Sequence, residues 1–178
     1  MNAQFQTAFH TLEQQRINII DRVKNLSPEA FDRQPAPGKW SIAQILTHIL
    51  TAERMTLGYM KKKSQGIDQL MDSGIIQSVL LVLLKISQRI PNIRYRAPRV
   101  IVTNTPDSLS FEELSKNWES VRNDLKIFLE SIEEKNARKL VFKHPFAGRL
   151  DARQAVIFMH EHVYHHWPQI KRLLHKNL

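Results

Sequence analysis

Helical periodicity is the feature that most constrains the fold of this 178-residue chain. Apolar residues recur at spacings of three and four over residues 3–25, 42–62, 111–134 and 152–174. This spacing gives an α-helix one continuous apolar face, which has to be buried against other helices. No stretch shows a strand alternation strong enough to carry a sheet. We therefore predict an all-α protein with four long helices packed as a bundle.

Capping boxes mark the starts of three of these helices. In a capping box, a Ser, Thr or Asp side chain accepts from the backbone three residues on, and that third residue reaches back to the cap. The pairs are Ser41 with Gln44, Ser110 with Glu113, and Asp151 with Gln154. They fix the predicted starts of the second, third and last long helices.

An additional apolar helix is predicted between the second and third long helices. Gly74 and Pro91 bracket residues 75–90, which are apolar on all sides of their middle. A helix of this kind is either buried or part of a subunit contact, so a homodimer is one interpretation. Residues 66–74 and 143–151 are predicted as loops, and the prolines in 91–106 predict irregular structure. The whole chain, 1–178, is expected to form a single domain.

Composition and charge restrict the class of protein. The chain has no cysteine, which excludes disulfides and thiolate metal sites. We see no signal peptide, and the longest apolar run, residues 79–84, is too short to span a bilayer, so we expect a cytoplasmic protein. The net charge is +9, and the basic segment 85–99 contains no acid. We expect a solvated face there. The alternatives are a small anionic substrate, a membrane surface and, least favoured, nucleic acid.

Histidines are concentrated in the last helix, within the stretch MHEHVYHHWPQ. His162 and His166 are four residues apart, so their rings project from one face and can bind one metal ion. The stretch is not a metalloprotease motif, because Val163 stands where that motif has its glutamate. His160 and His165 point in other directions and are expected at the surface or rim.

A third imidazole is needed for a metal site, since zinc and similar ions take at least three protein ligands. His48 is the best candidate, because it lies at the edge of the buried stripe of the second helix. His10 and His144 are weaker candidates. The competing interpretation is a set of hydrogen-bonded core histidines. The spacing alone leaves both interpretations open, although each buried polar group without a partner costs about 1–3 kcal/mol.

Two motifs resemble those of the DinB-like superfamily of bacterial metalloenzymes. PGKWSIAQILTHI is followed, more than a hundred residues later, by HEHVYHHWPQI, and the HPFAG loop is also similar. The resemblance covers most of the chain but not residues 66–106. It implies a DinB-like four-helix bundle with a divalent transition metal, most often zinc or nickel. The ligands it implies are His48, His162 and His166.

The resemblance implies several activities, since the family contains thiol transferases, isomerases and metal-dependent hydrolases. We expect a metal-dependent hydrolase or thiol transferase that acts on a small molecule, such as a thiol or an anionic conjugate. The alternative is a non-catalytic, metal-stabilised binding module whose basic face contacts an anionic partner. No catalytic residue is assigned. The residues expected to line or support the site are Gln44, Trp40, Tyr164 and Gln169.

Two further expectations concern the helices that carry the histidines. Glu53 lies about 140° further round its helix than His48, so we expect it to miss the site. Pro168 stands where many family members have glycine. A proline inside a helix removes a hydrogen bond and clashes with the carbonyl of Tyr164, so we predict a kink near residues 165–168.

Overall fold

Four long helices form a closed bundle in this computed structural model, which describes residues 1–90 and 107–176. The bundle helices are α1 (Ala3–Val23), α3 (Ile42–Lys63), α5 (Phe111–Ser131) and α6 (Ala152–Lys176). Helix α6 packs against α1 and α3, and α5 contacts the same two helices. This arrangement confirms the predicted all-α class.

Shorter elements surround the bundle. They are α2 (Pro28–Asp32), α4 (Ile75–Arg89), two 3-10 helices (Ser64–Gln69 and Glu134–Asn136), and a hairpin of β1 (Phe142–His144) and β2 (Gly148–Leu150). Helix α4 packs against α6 and is the additional helix that the sequence predicts between the second and third long helices. The predicted irregular segment 91–106 lies outside the described residues.

All three predicted capping boxes are present. The backbone N–H of Gln44 donates to Ser41 Oγ at 3.1 Å, and the N–H of Ser41 donates to Gln44 Oε1 at 3.0 Å. Ser110 with Glu113 and Asp151 with Gln154 make the same reciprocal bonds. Hydrogen bonds that can be read from the sequence therefore fix where α3, α5 and α6 begin.

The prediction of a loop over residues 143–151 was wrong. Phe142 pairs with Leu150, and His144 pairs with Gly148, in an antiparallel hairpin. Gly148 has a φ of +69°, which a side chain at that position would disfavour. Strands of three residues are too short to show a recognisable alternation, so the pattern gave no warning of them.

Two other local predictions need correction or comment. Residues 66–74 are not simply a loop, because they include part of the 3-10 helix Ser64–Gln69 and a bridge between Asp72 and Lys139. Helix α6 continues through Pro168 to Lys176, so the proline does not end it. The kink at residues 165–168 stays a prediction. Among the described residues, no helix has both the length and the apolar content needed to cross a membrane.

A buried ion pair joins α3 to α5 at the centre of the bundle. Glu53 is 1% exposed, and its carboxylate accepts from Arg122 Nη2 at 2.8 Å and from Trp118 Nε1 at 2.7 Å. Burial raises the pKa of Glu53, while the adjacent Arg122 and Trp118 act in the opposite direction. The sequence predicted that Glu53 would not belong to a histidine site, but it did not predict these partners.

We expect Glu53→Ala to lower the free energy of unfolding by about 3–5 kcal/mol, because it leaves the Arg122 guanidinium buried without its main counter-charge. Urea denaturation measures this loss. Glu130→Ala, which removes an exposed carboxylate from α5, is the matched control and should change stability by less than about 0.5 kcal/mol. Equal effects of the two substitutions would contradict a structural role for the pair.

Candidate metal centre

Three imidazoles from two neighbouring helices converge inside the bundle. His48 lies on α3, and His162 and His166 lie one turn apart on α6. The ring centroid of His48 is 5.2 Å from that of His162 and 5.1 Å from that of His166. One ring nitrogen from each residue lies within 4.8 Å of the other two. The structure thus brings together the three histidines that the sequence singled out.

The two α6 imidazoles approach each other most closely. Their Nε2 atoms are 3.2 Å apart. Two nitrogens that bind one tetrahedral zinc ion at about 2.0–2.1 Å lie roughly 3.3 Å from each other. The observed separation therefore fits two ligands of the same ion. It equally fits a hydrogen bond in which one imidazole donates to the other.

Gln169 lies next to one ring nitrogen of His166. Its Oε1 lies 3.1 Å from His166 Nδ1. Because an amide oxygen accepts hydrogen bonds, this contact fits the tautomer of His166 that carries its proton on Nδ1 and its lone pair on Nε2. That lone pair is directed towards His162. Gln169, expected from the sequence to support the site, thus contacts one of its three imidazoles.

Burial keeps the three imidazoles neutral. It lowers the pKa of His48 to about 4 and that of His166 to about 3. For His162, burial together with the neighbouring His166 and His48 lowers the pKa well below its usual value. Neutral imidazole is the form that binds metal ions. At pH 7, protons therefore do not compete for these nitrogens.

Aromatic rings cover two sides of the cluster. The Trp40 ring lies 5.1 Å from the His48 ring, and Phe158 is stacked on His162 with centroids 5.9 Å apart. Trp40 is 43% exposed, so it stands between the cluster and solvent.

Two other expected site residues, Gln44 and Tyr164, make contacts outside the cluster. Gln44 Oε1 accepts from the backbone of Ser41 and from Gln34 Nε2, so its oxygen serves the start of α3. The ring of Tyr164 lies 5.0 Å from the Arg89 guanidinium. Tyr164 is two residues from His162 and therefore points about 200° away round the helix.

The remaining histidine candidates do not join the cluster. His10 is exposed on α1. His144 is buried, and its Nδ1 accepts from the backbone N–H groups of Phe146 at 3.2 Å and Ala147 at 3.0 Å. These two bonds close the turn of the hairpin, which makes His144 a structural residue.

The sequence expected two further histidines, His160 and His165, at the surface or rim, and neither belongs to the cluster. His165 Nδ1 lies 3.1 Å from the carbonyl oxygen of Gln88 on α4. His160 Nδ1 lies 3.5 Å from the carboxylate of Glu161. Both rings are half-buried, as expected for rim positions.

Glu161 is a charged residue beside the cluster that sequence reasoning missed. It is 1% exposed and accepts two bonds of 2.8 Å from Arg89, with Lys85 at 3.9 Å. The sequence feature that could have indicated it is the basic segment 85–99, because a buried acid needs a cation from a neighbouring element. In the described part of that basic segment, Lys85 and Arg89 are 38% and 48% exposed, and both lie against Glu161.

An all-α bundle with three converging imidazoles defines a class of helical proteins whose core is compatible with metal binding. The chain belongs to the DinB superfamily, whose family model matches residues 11–170. It is also 24% identical over 161 residues to the uncharacterised protein YuaE of Bacillus subtilis (strain 168). That alignment covers 90% of this chain and 93% of YuaE. The family match confirms the resemblance that the sequence motifs suggested.

The hairpin histidine gives this fold an acid sensitivity. Burial lowers the pKa of His144 from 6.5 to about 4, and a proton on Nδ1 would also break both turn bonds. The unfolded chain therefore binds this proton at a higher pH than the folded chain does. As a result, the free energy of unfolding falls as the pH drops from 6.5 towards 4. We expect a loss of about 3 kcal/mol from this residue. His144→Asn should have a smaller difference in unfolding free energy between pH 7 and pH 4.5. An unchanged difference would contradict this account.

Proposed function

We propose that His48, His162 and His166 bind one divalent transition-metal ion and that the chain is a metal-dependent enzyme. The observation that supports this most strongly is the group of three ring nitrogens within 4.8 Å of one another. A single cation would satisfy all three buried nitrogens at once, which no single hydrogen-bond donor can do. Imidazoles without thiolates favour ions such as zinc or nickel.

Three protein ligands leave further coordination positions for a reacting molecule. An ion bound there supplies a Lewis acid that can activate a water molecule or a thiol. The residues around it have separate roles. Gln169 favours the tautomer of His166 that carries its proton on Nδ1, while Trp40 and Phe158 keep water away from the rings they cover. The same two aromatic rings offer an apolar surface to a substrate.

The acids on the two ligand helices limit the chemistry of the site. Glu53 is bound to Arg122 and Trp118, and Glu161 is bound to Arg89. Neither carboxylate is free to act as a general base, and we assign no catalytic base. A thiol ionises with a pKa of about 8.5, so it needs less help from a base than water does. This supports a thiol as substrate, with transfer favoured over hydrolysis.

The alternative is a non-catalytic, metal-stabilised module whose basic face binds an anionic partner. The ion pairs of Glu161 weaken it, because Lys85 and Arg89 already have a buried counter-charge. The other basic residues of segment 85–99 lie outside the described part of the chain.

Elemental analysis of the purified protein tests the metal site. We expect about one equivalent of a divalent metal per chain, and a loss of most of it in His48→Ala, in His162→Ala and in His166→Ala, because two imidazoles alone bind an ion weakly. His10→Ala is the control, since it removes an exposed imidazole distant from the cluster, and it should retain the metal. Retention of metal in all three ligand variants would refute the assignment.

Substitutions at Gln169 test whether its contact with His166 supports metal binding. Gln169→Ala should weaken metal affinity by about 10–100-fold, because His166 loses the acceptor that orients it. Gln169→Glu keeps an acceptor at that position and should restore affinity. Competition against a chromogenic chelator measures both. Equal weakening by the two variants would mean that the hydrogen bond to His166 does not matter.

Turnover of an aryl ester and of a thiol conjugate tests the enzymatic part of the proposal. We expect turnover of at least one of these substrates by the metal-loaded protein, and a fall to the background rate after chelation and in His48→Ala. His10→Ala should keep the parent rate. If chelation instead lowers the melting temperature and neither substrate is turned over by the loaded protein, the binding-module alternative is favoured.

A further inference from the structure

The outward face of α4 carries a continuous apolar seam. Its residues are Ile76, Val79, Leu83, Ile86 and Ile90, flanked by Ile75 and Val82. All seven are between 46% and 83% exposed. The five seam residues follow each other at alternating spacings of three and four, which is the repeat of helices that pack together along their length.

The opposite face of the same helix is already packed. Leu81, Leu84 and Gln88 are buried, on the side that faces α6. A helix that packs on one side only normally has polar residues on the other side. Helix α4 therefore has two apolar faces, and no described residue covers the outer one.

The charged residues of α4 do not belong to the apolar seam. Its two charged residues, Lys85 and Arg89, both pair with Glu161 of α6. Helices that lie on an anionic membrane surface keep such cations available for lipid headgroups. The seam residues themselves carry no charge that would repel an identical face, and the partly exposed Lys85 and Arg89 have Glu161 as a counter-charge. These features favour an uncharged protein surface as its occupant.

The size of the seam fits a dimer contact. The seven side chains expose on the order of 700 Å², above the roughly 300–600 Å² of the largest apolar patch on a typical monomer and close to the 800 Å² that each partner of a stable complex buries. We propose that two copies of this chain pair through α4 about a two-fold axis, with Leu83 of one copy against Leu83 of the other. A two-fold contact uses the same patch twice, which the uncharged seam allows.

Sedimentation equilibrium of the full chain tests the pairing. We expect a species of twice the 20.8 kDa chain mass. Leu83→Lys and Ile86→Lys should each weaken the dimer by about 100-fold, because each substitution occurs twice in a symmetric contact. Both side chains are exposed in the single chain, so circular dichroism should show intact folding. The control is Ile127→Lys, at an isoleucine of α5 that is 64% exposed. It should remain dimeric.

A cross-link gives a second readout. The chain contains no cysteine, so Leu83→Cys introduces the only thiol. A residue on the two-fold axis meets its own copy, and mild oxidation should give a disulfide-linked dimer, whereas Ile127→Cys should not. Ile76→Cys should cross-link only if the two helices are parallel.

Three results would overturn the proposal. They are a parent chain that stays monomeric up to about 100 µM, a dimer that survives both lysine substitutions, and one that Ile127→Lys disrupts equally. A monomeric parent that floats with phosphatidylglycerol vesicles would assign the face to a membrane. A monomeric parent that does not float would leave residues 91–106 of the same chain, or another protein, as the occupant.

Discussion

The packing of α3 against α6 is the contact on which the rest of the molecule depends. Ile45 and Ile49 on α3 and Met159, Val163 and Ile170 on α6 are all at most 2% exposed. These side chains fix the rotation of each helix about its axis, because turning either helix would expose them to water. His48 lies three residues from Ile45, and His166 lies three from Val163, so the same burial directs their rings inwards. The geometry of the histidine cluster is thus a consequence of core packing.

The fixed rotation of α3 and α6 also decides where their buried acids point. Glu53 is five residues after His48 and turns to Arg122 on α5, whereas Glu161 precedes His162 and turns to Arg89 on α4. Each acid is paired with a cation from a helix that carries none of the three clustered histidines. Neither acid is paired with an imidazole of the cluster. The two ion pairs instead attach α5 and α4 to the helices that carry the cluster.

Much of this fold was predictable because its determinants are local. Spacings of three and four revealed the long helices, and reciprocal caps such as Ser41 with Gln44 located their starts. The spacing of His162 and His166 placed both on one face, and His48 followed from its position on the stripe of α3. The hairpin at residues 142–150 was missed, because three-residue strands have no readable period and His144 closes their turn. The partners of Glu53 and Glu161 were missed as well, since each depends on which helices become neighbours.

The separation of the three imidazoles along the chain affects how the molecule is made. His48 precedes His162 by more than one hundred residues, and the described helices α4 and α5 lie between them. A growing chain can therefore form α1 to α5 while two of the three imidazoles have yet to be synthesised. The cluster assembles only when α6 docks, which is a late, long-range step. Any ion that requires all three rings would then be captured only after that step, and its uptake would report that folding is complete.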